Sequence, residues 1–116
     1  MSSYDKIEKP WGYEQLLEKN DRYILKKLFM KKDAMCSLQY HNKKHETIYV
    51  LSGILGISIE KEKVPVEEKV LLPNDFLAIA PLTIHRMCGI DDCLYLESST
   101  PELYDVVRLN DLYGRK

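Results

Sequence analysis

The chain has 116 residues, of which 45% are hydrophobic and 30% are charged, and its formal net charge is -1. That length fits one domain, and this composition is typical neither of a disordered chain nor of a membrane protein. A near-neutral chain is poorly suited to neutralising a phosphate backbone, so we expect no nucleic-acid partner and no membrane partner. The N-terminus lacks the apolar segment of a signal peptide, which predicts a cytoplasmic protein.

Short apolar segments separated by turn residues run along the chain, and the content of Tyr, Val and Ile favours strands over helices. In chain order the predicted strands are 11–17, 22–30, 35–41, 46–51, 54–60, 64–67, 69–72, 76–79, 85–88, 93–98 and 104–109. This spacing is typical of an all-β sandwich or barrel. We therefore expect one all-β domain over residues 1–116, in which residues 1–12 form an N-terminal arm.

Four candidate metal ligands lie at the starts or ends of predicted strands. Alternate residues of a strand share a face, so Gln39 and His41 point the same way. Glu46 opens the next strand after a polar loop, and His85 opens an apolar strand much later. Imidazole, carboxylate and amide donors suit zinc, iron, manganese, cobalt or nickel. The alternative reading is an ordinary polar face, which short motifs of this kind often represent.

The spacing of these residues resembles the first motif of the cupin superfamily. That motif runs glycine, five residues, His-x-His, three or four residues, Glu, six residues and glycine. The chain keeps the same intervals with Asp33, Gln39, His41, Glu46 and Gly53. Asp replaces the first glycine, which is tolerable because Asp accepts left-handed backbone better than most residues. The resemblance implies a double-stranded β-helix, the jelly-roll barrel of cupins.

The second cupin motif is matched in the same way. It runs glycine, five residues, Pro-x-Gly, two residues, His, three residues and Asn, and the chain places Asn74, Ala80, Leu82, His85 and Gly89 at these intervals, with Pro81 between Ala80 and Leu82. Asn74 also tolerates the left-handed conformation of the glycine that it replaces. Leu82 does not, so its presence predicts a changed turn before His85.

Within the cupins, the chain is similar to mannose-6-phosphate isomerases, especially the cupin domain of the bifunctional isomerase and mannose-1-phosphate guanylyltransferase. The similar stretches are 9–12, 37–41, 46, 50–53, 85–86 and 107–115. In that group Gln, His, Glu and His hold the metal. The resemblance therefore implies one divalent metal ion, with zinc as the first candidate, held by Gln39, His41, Glu46 and His85. It also implies aldose-ketose isomerisation of a sugar phosphate or nucleotide-linked sugar through an enediolate.

Such an isomerase needs a group that moves a proton between adjacent carbons. Glu97 lies in an apolar segment, where inward placement would raise the pKa of its carboxyl group, and it is our candidate base. Lys26, in an otherwise apolar strand, is a second candidate for the base or for a contact to a substrate oxygen. The alternatives are a solvated or salt-bridged Glu97 and a Lys26 at the sheet rim with its ammonium group in water.

Further residues are candidates for substrate contacts and for assembly. Arg86 follows the candidate ligand His85 and Arg115 lies in the isomerase-like ending, so both are candidate phosphate ligands. Strand alternation instead points Arg86 away from His85, and Arg115 is equally a frayed terminus. Trp11 is either a sugar-stacking aromatic or a core or interface anchor. Exposed strand edges and an N-terminal arm in the interface predict a homodimer.

Two other functions fit the same residues. A His, Glu and His set with open coordination positions also suits ferrous iron and oxygen, which would make the protein a mononuclear iron dioxygenase. The third reading is a sugar-binding or regulatory cupin without chemistry, because function belongs to the site rather than to the fold.

Overall fold

The structure is a computed structural model that describes residues 6–61, 64–111 and 113. Within these ranges the chain forms strands and no helix, so it contains no helix long and apolar enough to cross a membrane. The strands are β1 (Lys6–Lys9), β2 (Gly12–Lys19), β3 (Ile24–Met30), β4 (Leu38–Tyr40), β5 (Glu46–Ser52), β6 (Leu55–Lys61), β7 (Val64–Leu71), β8 (Phe76–Ile79), β9 (Ile84–Gly89), β10 (Cys93–Ser99) and β11 (Val107–Asn110).

The strands form two antiparallel sheets. Sheet A has the order β1-β2-β3-β10-β5-β8, and sheet B has the order β11-β4-β9-β6-β7. Apolar residues from both sheets meet in one core, with Leu28 and Ile48 from sheet A beside Ile57 and Met87 from sheet B. Two antiparallel sheets that bury their inner faces against each other confirm the all-β sandwich or barrel that the strand spacing predicts.

Strand alternation positions the site as well as the core. Along β3, Ile24, Leu28 and Met30 point inward and are buried, and each contributes roughly 1.5–3 kcal/mol of burial free energy. The same alternation turns Lys26 inward, and on β10 it turns Glu97 inward opposite Lys26. Sheet A therefore brings two ionisable groups into the barrel interior on neighbouring strands.

The observed strand bounds differ from the predicted ones in three places. The predicted strand over residues 35–41 shortens to β4, because Met35 makes only an isolated bridge with Cys88. The predicted last strand begins at Val107, since residues 101–106 form turns. The two predicted segments 64–67 and 69–72 are one continuous strand, β7.

The predicted N-terminal arm is only partly described. Lys6–Lys9 form β1, which pairs with β2 at the edge of sheet A, with Lys6 opposite Gln15 and Lys9 opposite Gly12. The described part of the arm is therefore an edge strand of its own barrel. Its place in a dimer interface stays a prediction.

The turn before His85 corrects the sequence prediction. Leu82 has a φ of 66°, as Asp33 does, and so adopts the left-handed conformation of the motif glycine that it replaces. The predicted changed turn is therefore wrong. The turn accommodates leucine because the side chain is 65% exposed and meets no packed core. The Leu82 N–H also donates a hydrogen bond to the His41 carbonyl, at 2.7 Å, which fixes the turn.

We expect Leu82→Gly to stabilise the protein. A left-handed L-residue costs roughly 1–2 kcal/mol, and glycine gives back part of this gain through its greater entropy in the unfolded chain. The net increase in the free energy of unfolding should be about 1 kcal/mol, seen as a rise of a few degrees in Tm by circular dichroism. Leu82→Ala is the control, because alanine keeps the Cβ atom and the strain. If Leu82→Gly is no more stable than Leu82→Ala, the left-handed backbone at this position carries no measurable strain and the expectation is wrong.

Candidate metal centre

Three buried side chains converge at one end of the barrel. His41 follows β4, Glu46 opens β5, and His85 lies on β9. The His41 Nε2 atom is 3.3 Å from Glu46 Oε1, and the His85 Nε2 atom is 3.2 Å from the same oxygen. All three side chains are almost fully buried, so water has little access to these atoms. The three residues form the strongest metal-ligating cluster of the described chain, and we call it the His-Glu-His cluster.

Backbone carbonyl groups fix both imidazole rings. His41 Nδ1 lies 2.6 Å from the Asp105 carbonyl oxygen, and His85 Nδ1 lies 2.9 Å from the Thr83 carbonyl oxygen. A carbonyl oxygen only accepts, so each Nδ1 atom carries the hydrogen and, in a neutral ring, Nε2 presents a lone pair. Both Nε2 atoms face a carboxylate oxygen that also offers only lone pairs.

The donor set fits a divalent metal ion. Neither Nε2 atom of His41 or His85 has a hydrogen-bond partner, and neither does Glu46 Oε1. Three buried acceptors at one point repel each other unless a cation neutralises them. For ligands about 2.1 Å from a tetrahedral zinc ion, neighbouring ligand atoms are roughly 3.4 Å apart, which is close to the two distances to Glu46 Oε1. The donor atoms of the cluster all lie within 4.8 Å of one another, which brings them close enough to share one metal ion.

Gln39 lies beside the His-Glu-His cluster. It pairs with His85 across the ladder between β4 and β9, and its side chain lines the same cavity. The Ser37 hydroxyl group donates a hydrogen bond to Gln39 Oε1, at 2.9 Å, which restrains the amide. The structure thus brings all four sequence-predicted ligands to one end of the barrel.

Glu46 is ionised in this environment. Burial alone raises its pKa, but hydrogen bonds that His41 and His85 donate in their protonated form, together with the charge of Lys44, outweigh burial and hold the pKa well below its usual range. The Lys44 Nζ atom lies 3.5 Å from Glu46 Oε2. Burial lowers the pKa of Lys44, and the charges of Glu97 and Glu46 more than reverse that shift. Lys44 is therefore a buried ammonium group beside the cluster.

The side chains of Glu97 and Lys26 both point into the barrel interior, which their candidate roles at the site require. The Glu97 carboxylate lies 4.0 Å from Lys44 Nζ, and burial together with the charge of Glu46 raises the pKa of Glu97 to about 8. Lys26 forms an ion pair with Glu14, with 3.5 Å between Nζ and Oε1. The sheet-rim reading of Lys26 is thereby wrong, since its side chain is 10% exposed.

These groups line a cavity of about 550 Å³. Its cationic wall residues are Lys9, Lys26, Lys44 and Arg108, and its acidic ones are Glu14, Glu46 and Glu97. Trp11 also lines the cavity and belongs to the buried core, so its role as a core residue is confirmed and its role in sugar stacking stays a prediction. A cavity of this size lies in the range of roughly 300–1,000 Å³ that is typical of small-molecule sites.

The structure does not place either predicted phosphate ligand, Arg86 or Arg115, at the cavity. Arg86 is not among the cavity-lining residues, because it alternates with His85 on β9 and points to the outer face. Its guanidinium group donates hydrogen bonds to the Cys36 carbonyl, at 3.0 Å, and to the Asn110 carbonyl, at 2.9 Å. The structure thus gives Arg86 a structural role in place of the predicted substrate contact. Arg115 lies outside the described residues.

Sequence reasoning missed Lys44, Arg108 and Glu14. For Lys44 a signal existed, because it is two residues before Glu46 and a strand-like path would put both side chains on one face. Arg108 and Glu14 had no comparable signal, since they reach the cavity only through the order of strands in the sheets.

Asp105 organises the loop that carries the cluster. Its carboxylate accepts hydrogen bonds from the backbone N–H groups of Asn42, Lys43 and Lys44, at 3.0, 2.7 and 2.9 Å. The backbone donors of Lys43 and Asn42 contribute most to a pKa for Asp105 of about 2. Its carbonyl oxygen also accepts from His41 Nδ1. One residue therefore orients a candidate ligand and fixes the loop that places Lys44.

The fold and the inward-facing His-Glu-His cluster define a cupin. A family model described as "Mannose-6-phosphate isomerase C-terminal" matches residues 1–92. That match spans most of the chain, so the protein belongs to this family. Comparison with curated protein sequences finds no match.

Solved structures agree on the fold. KdgF from Halomonas sp. has a TM-score of 0.76 at 16% identity, over 87% of this chain and 89% of that chain. The capsular polysaccharide assembling protein CapF from Staphylococcus aureus has a TM-score of 0.78 at 17% identity, over 90% of this chain but 34% of CapF. Oxalate decarboxylase from Bacillus subtilis has a TM-score of 0.82 at 15% identity, over 91% of this chain but 30% of the enzyme. At these identities the likeness concerns the fold alone.

We expect Asp105→Ala to loosen the loop over residues 42–44. Each backbone N–H group there loses an acceptor worth roughly 1.5 kcal/mol, so amide hydrogen exchange of these residues should become about tenfold faster. Exchange measured by NMR checks this expectation. The control is Asp92→Ala, since the Asp92 carboxylate accepts one backbone N–H group, from Lys32, in another turn. Equal exchange at residues 42–44 in the wild type and Asp105→Ala would contradict the role of Asp105.

Proposed function

We propose that the protein is a metal-dependent isomerase that interconverts an aldose phosphate and a ketose phosphate, with mannose 6-phosphate as the first substrate to test. The observation that carries the proposal is the convergence of His41 Nε2, Glu46 Oε1 and His85 Nε2 at one point. His41 and Glu46 also line the cavity that Glu97 and Lys44 line. Membership of the mannose-6-phosphate isomerase family supports the reaction type.

In this proposal His41, Glu46 and His85 hold the metal, and Gln39 is the fourth ligand. Zinc is the first candidate, because it accepts imidazole and carboxylate ligands at the spacing found here. A bound divalent ion supplies a Lewis acid, which polarises the substrate carbonyl group and stabilises the negative charge of the enediolate. The Ser37 hydroxyl group, bonded to Gln39 Oε1, keeps the amide oriented toward the cavity.

Glu97 moves the carbon-bound proton. Its carboxylate removes the proton from the carbon beside the carbonyl group and returns it to the former carbonyl carbon. The C–H electron pair becomes the C=C bond of the enediolate and then the new C–H bond, while the hydroxyl proton moves from one oxygen to the other. Atoms and electrons balance within the substrate, so the reaction needs no oxidant or reductant.

Lys44 and Lys26 assist from two sides of the cavity. The Lys44 ammonium group lies between Glu46 and Glu97, at 3.5 and 4.0 Å, where it can donate hydrogen bonds to a substrate oxygen. Lys26 lies opposite Glu97 in the ladder between β3 and β10, and Glu14 holds its ammonium group in the wall. Both lysines thereby place positive charge where oxygen anions develop.

The phosphate group is assigned to the cationic wall. Arg108 on β11 lines the cavity and takes the role that the sequence gave to Arg86. An arginine side chain binds phosphate through two parallel hydrogen bonds, which suits a phosphorylated sugar. Trp11 supplies an apolar surface in the same wall, where the carbon face of a sugar ring can pack.

Metal binding is tested with ligand variants. We expect the wild-type protein to bind one divalent ion per chain and the His41→Ala/His85→Ala variant to bind none, because two of its ligands are lost. Metal content after dialysis, measured by inductively coupled plasma mass spectrometry, checks this. The matched control is His45→Ala, whose imidazole is exposed and which should bind metal as the wild type does. Unchanged metal content in the double variant would rule out the ligand assignment.

Catalysis is tested with the base and its neighbour. We expect Glu97→Gln to lower kcat by about 10²- to 10⁴-fold with unchanged metal content, since the amide cannot accept the proton. Lys44→Met should also lower kcat, whereas Lys43→Met, which changes an exposed neighbour, should not. A coupled assay that interconverts mannose 6-phosphate and fructose 6-phosphate gives these rates.

The same assay separates the rival functions. Near-normal turnover of Glu97→Gln would remove Glu97 from the reaction. If the metal-loaded wild type turns over neither phosphorylated sugar, the isomerase is excluded. Oxygen uptake by the iron-loaded protein would then favour a dioxygenase, and sugar binding without turnover would favour a binding module.

A further inference from the structure

Tyr95 is a buried polar residue that the proposed reaction does not use. It lies on β10, where it points inward together with Cys93 and Glu97, and it is 1% exposed. Its ring belongs to the apolar core, and the residue also lines the cavity that Glu97 lines. Tyr95 therefore joins the packed core to the cavity wall.

The hydroxyl group of Tyr95 lacks a protein partner. Over residues 6–61, 64–111 and 113, no backbone or side-chain group forms a hydrogen bond with it. Its oxygen is also not one of the completely enclosed polar atoms without a partner, so the small exposed part of Tyr95 includes this oxygen. Because the side chain points into the barrel, this oxygen is exposed to the cavity. The cavity wall thus carries an unpaired hydroxyl group.

Packing alone does not account for this hydroxyl group. Buried tyrosine hydroxyl groups usually have a hydrogen-bond partner, and a phenylalanine ring fills the same space without a polar atom. Tyr49, on the outer face of sheet A, shows the ordinary case, because its hydroxyl group donates a hydrogen bond to Asn74 Oδ1, at 2.9 Å. Departures from this rule are concentrated at functional sites. The unpaired hydroxyl group of Tyr95 therefore points to a ligand.

The register of β10 gives this hydroxyl group a defined place relative to the His-Glu-His cluster. In the ladder between β5 and β10, Ser99 lies opposite Glu46. Tyr95 lies opposite Val50, four residues further along each strand. Consecutive inward side chains of one strand are roughly 6.6 Å apart, so Glu97 lies between the level of the cluster and the level of Tyr95. A ligand that reacts between the cluster and Glu97 reaches Tyr95 with a more distant part.

The surroundings make the hydroxyl group a hydrogen-bond donor. Burial, together with the neighbouring Cys36 and Glu97, raises the pKa of Tyr95 well above its usual range, so the phenol keeps its proton. Its neighbours on the two adjacent strands are Leu28 and Val50, whose side chains offer no acceptor. An acceptor for this proton must therefore come from the contents of the cavity.

We propose that Tyr95 is a specificity-determining residue, whose hydroxyl group donates a hydrogen bond to a sugar hydroxyl group outside the two reacting carbons. The proposal rests on the proposed function, because that function places the reacting carbons between the cluster and Glu97. A buried donor that stays unpaired disfavours any ligand without the matching oxygen, which is how a cavity selects for one hydroxyl group. The ligand class is therefore a sugar phosphate that carries a hydroxyl group beyond the reacting pair.

Substrate analogues combined with Tyr95→Phe test the proposal. Phenylalanine keeps the ring and removes only the hydroxyl group. The metal-loaded wild type and variant are assayed with mannose 6-phosphate and with its 3-deoxy, 4-deoxy and 5-deoxy analogues. We expect Tyr95→Phe to lower kcat/KM for mannose 6-phosphate by about tenfold or more. One analogue should lose as much with the wild type and nothing further with the variant, because both changes remove the same hydrogen bond.

The matched control for turnover is Tyr49→Phe, which should leave kcat/KM unchanged because Tyr49 lies outside the cavity. Melting curves of the metal-free proteins separate the proposed role from a structural one. The Tm of Tyr95→Phe should equal or exceed that of the wild type, since no protein hydrogen bond is lost. A Tm several degrees lower would show that the hydroxyl group holds the fold, and the proposal would be wrong.

The remaining outcomes distinguish this proposal from the proposed function. If the wild type is active and Tyr95→Phe matches it, or if the two losses add for every analogue, the Tyr95 contact is excluded and the isomerase stands. If the wild type turns over neither mannose 6-phosphate nor fructose 6-phosphate, the proposed function fails. Calorimetric binding of mannose 6-phosphate then decides about Tyr95. Weaker binding to Tyr95→Phe than to the wild type supports the contact, and equal or absent binding excludes it.

Discussion

The central constraint on this molecule is the burial of three lone-pair donors at one point. His41 and His85 each direct an imidazole nitrogen at the same carboxylate oxygen of Glu46, at 3.3 and 3.2 Å, with little access for water. Such an arrangement is unfavourable by itself and becomes favourable when a cation occupies the centre. The surrounding structure is arranged to maintain it, because both imidazole rings are fixed through Nδ1 by backbone carbonyl groups.

Those carbonyl groups belong to loops, and the loops explain where regular structure stops. Residues 101–106 form turns rather than strand because Asp105 faces the His41 loop with both its carbonyl group and its carboxylate. Thr83 presents its carbonyl group to His85 from the turn that Leu82 forms in a left-handed conformation. The backbone cost of left-handed Leu82 therefore falls in the turn that orients His85, while Asp33 and Asn74 carry a similar cost in other turns.

The sequence predicts what strand alternation and motif spacing control, and little more. Alternation and spacing place Gln39, His41, Glu46 and His85 together, and alternation also turns Glu97 inward. Alternation also points Arg86 outward. At that position, alternation therefore predicts the direction of the side chain better than the candidate phosphate role does. Arg108 and Glu14 reach the cavity only through the order of strands in the sheets, which no local pattern encodes. The observed strand ends differ from the predicted ones where side chains from distant segments bind the backbone.

The buried charges are better explained by function than by stability. Lys26, Lys44, Glu46 and Glu97 are all less than a tenth exposed, and they stand in or beside strands that are otherwise apolar. Replacing buried ion pairs by apolar residues of similar volume is often neutral or stabilising, so pairing alone does not account for four such groups. Their arrangement has chemical value, because it sets a raised pKa at Glu97 and a lowered pKa at Glu46 within one cavity. Two carboxyl groups with opposite shifts can take different roles, one as a proton carrier and one as a permanent anion beside a metal. That division of roles is what proton transfer next to a polarised carbonyl group requires.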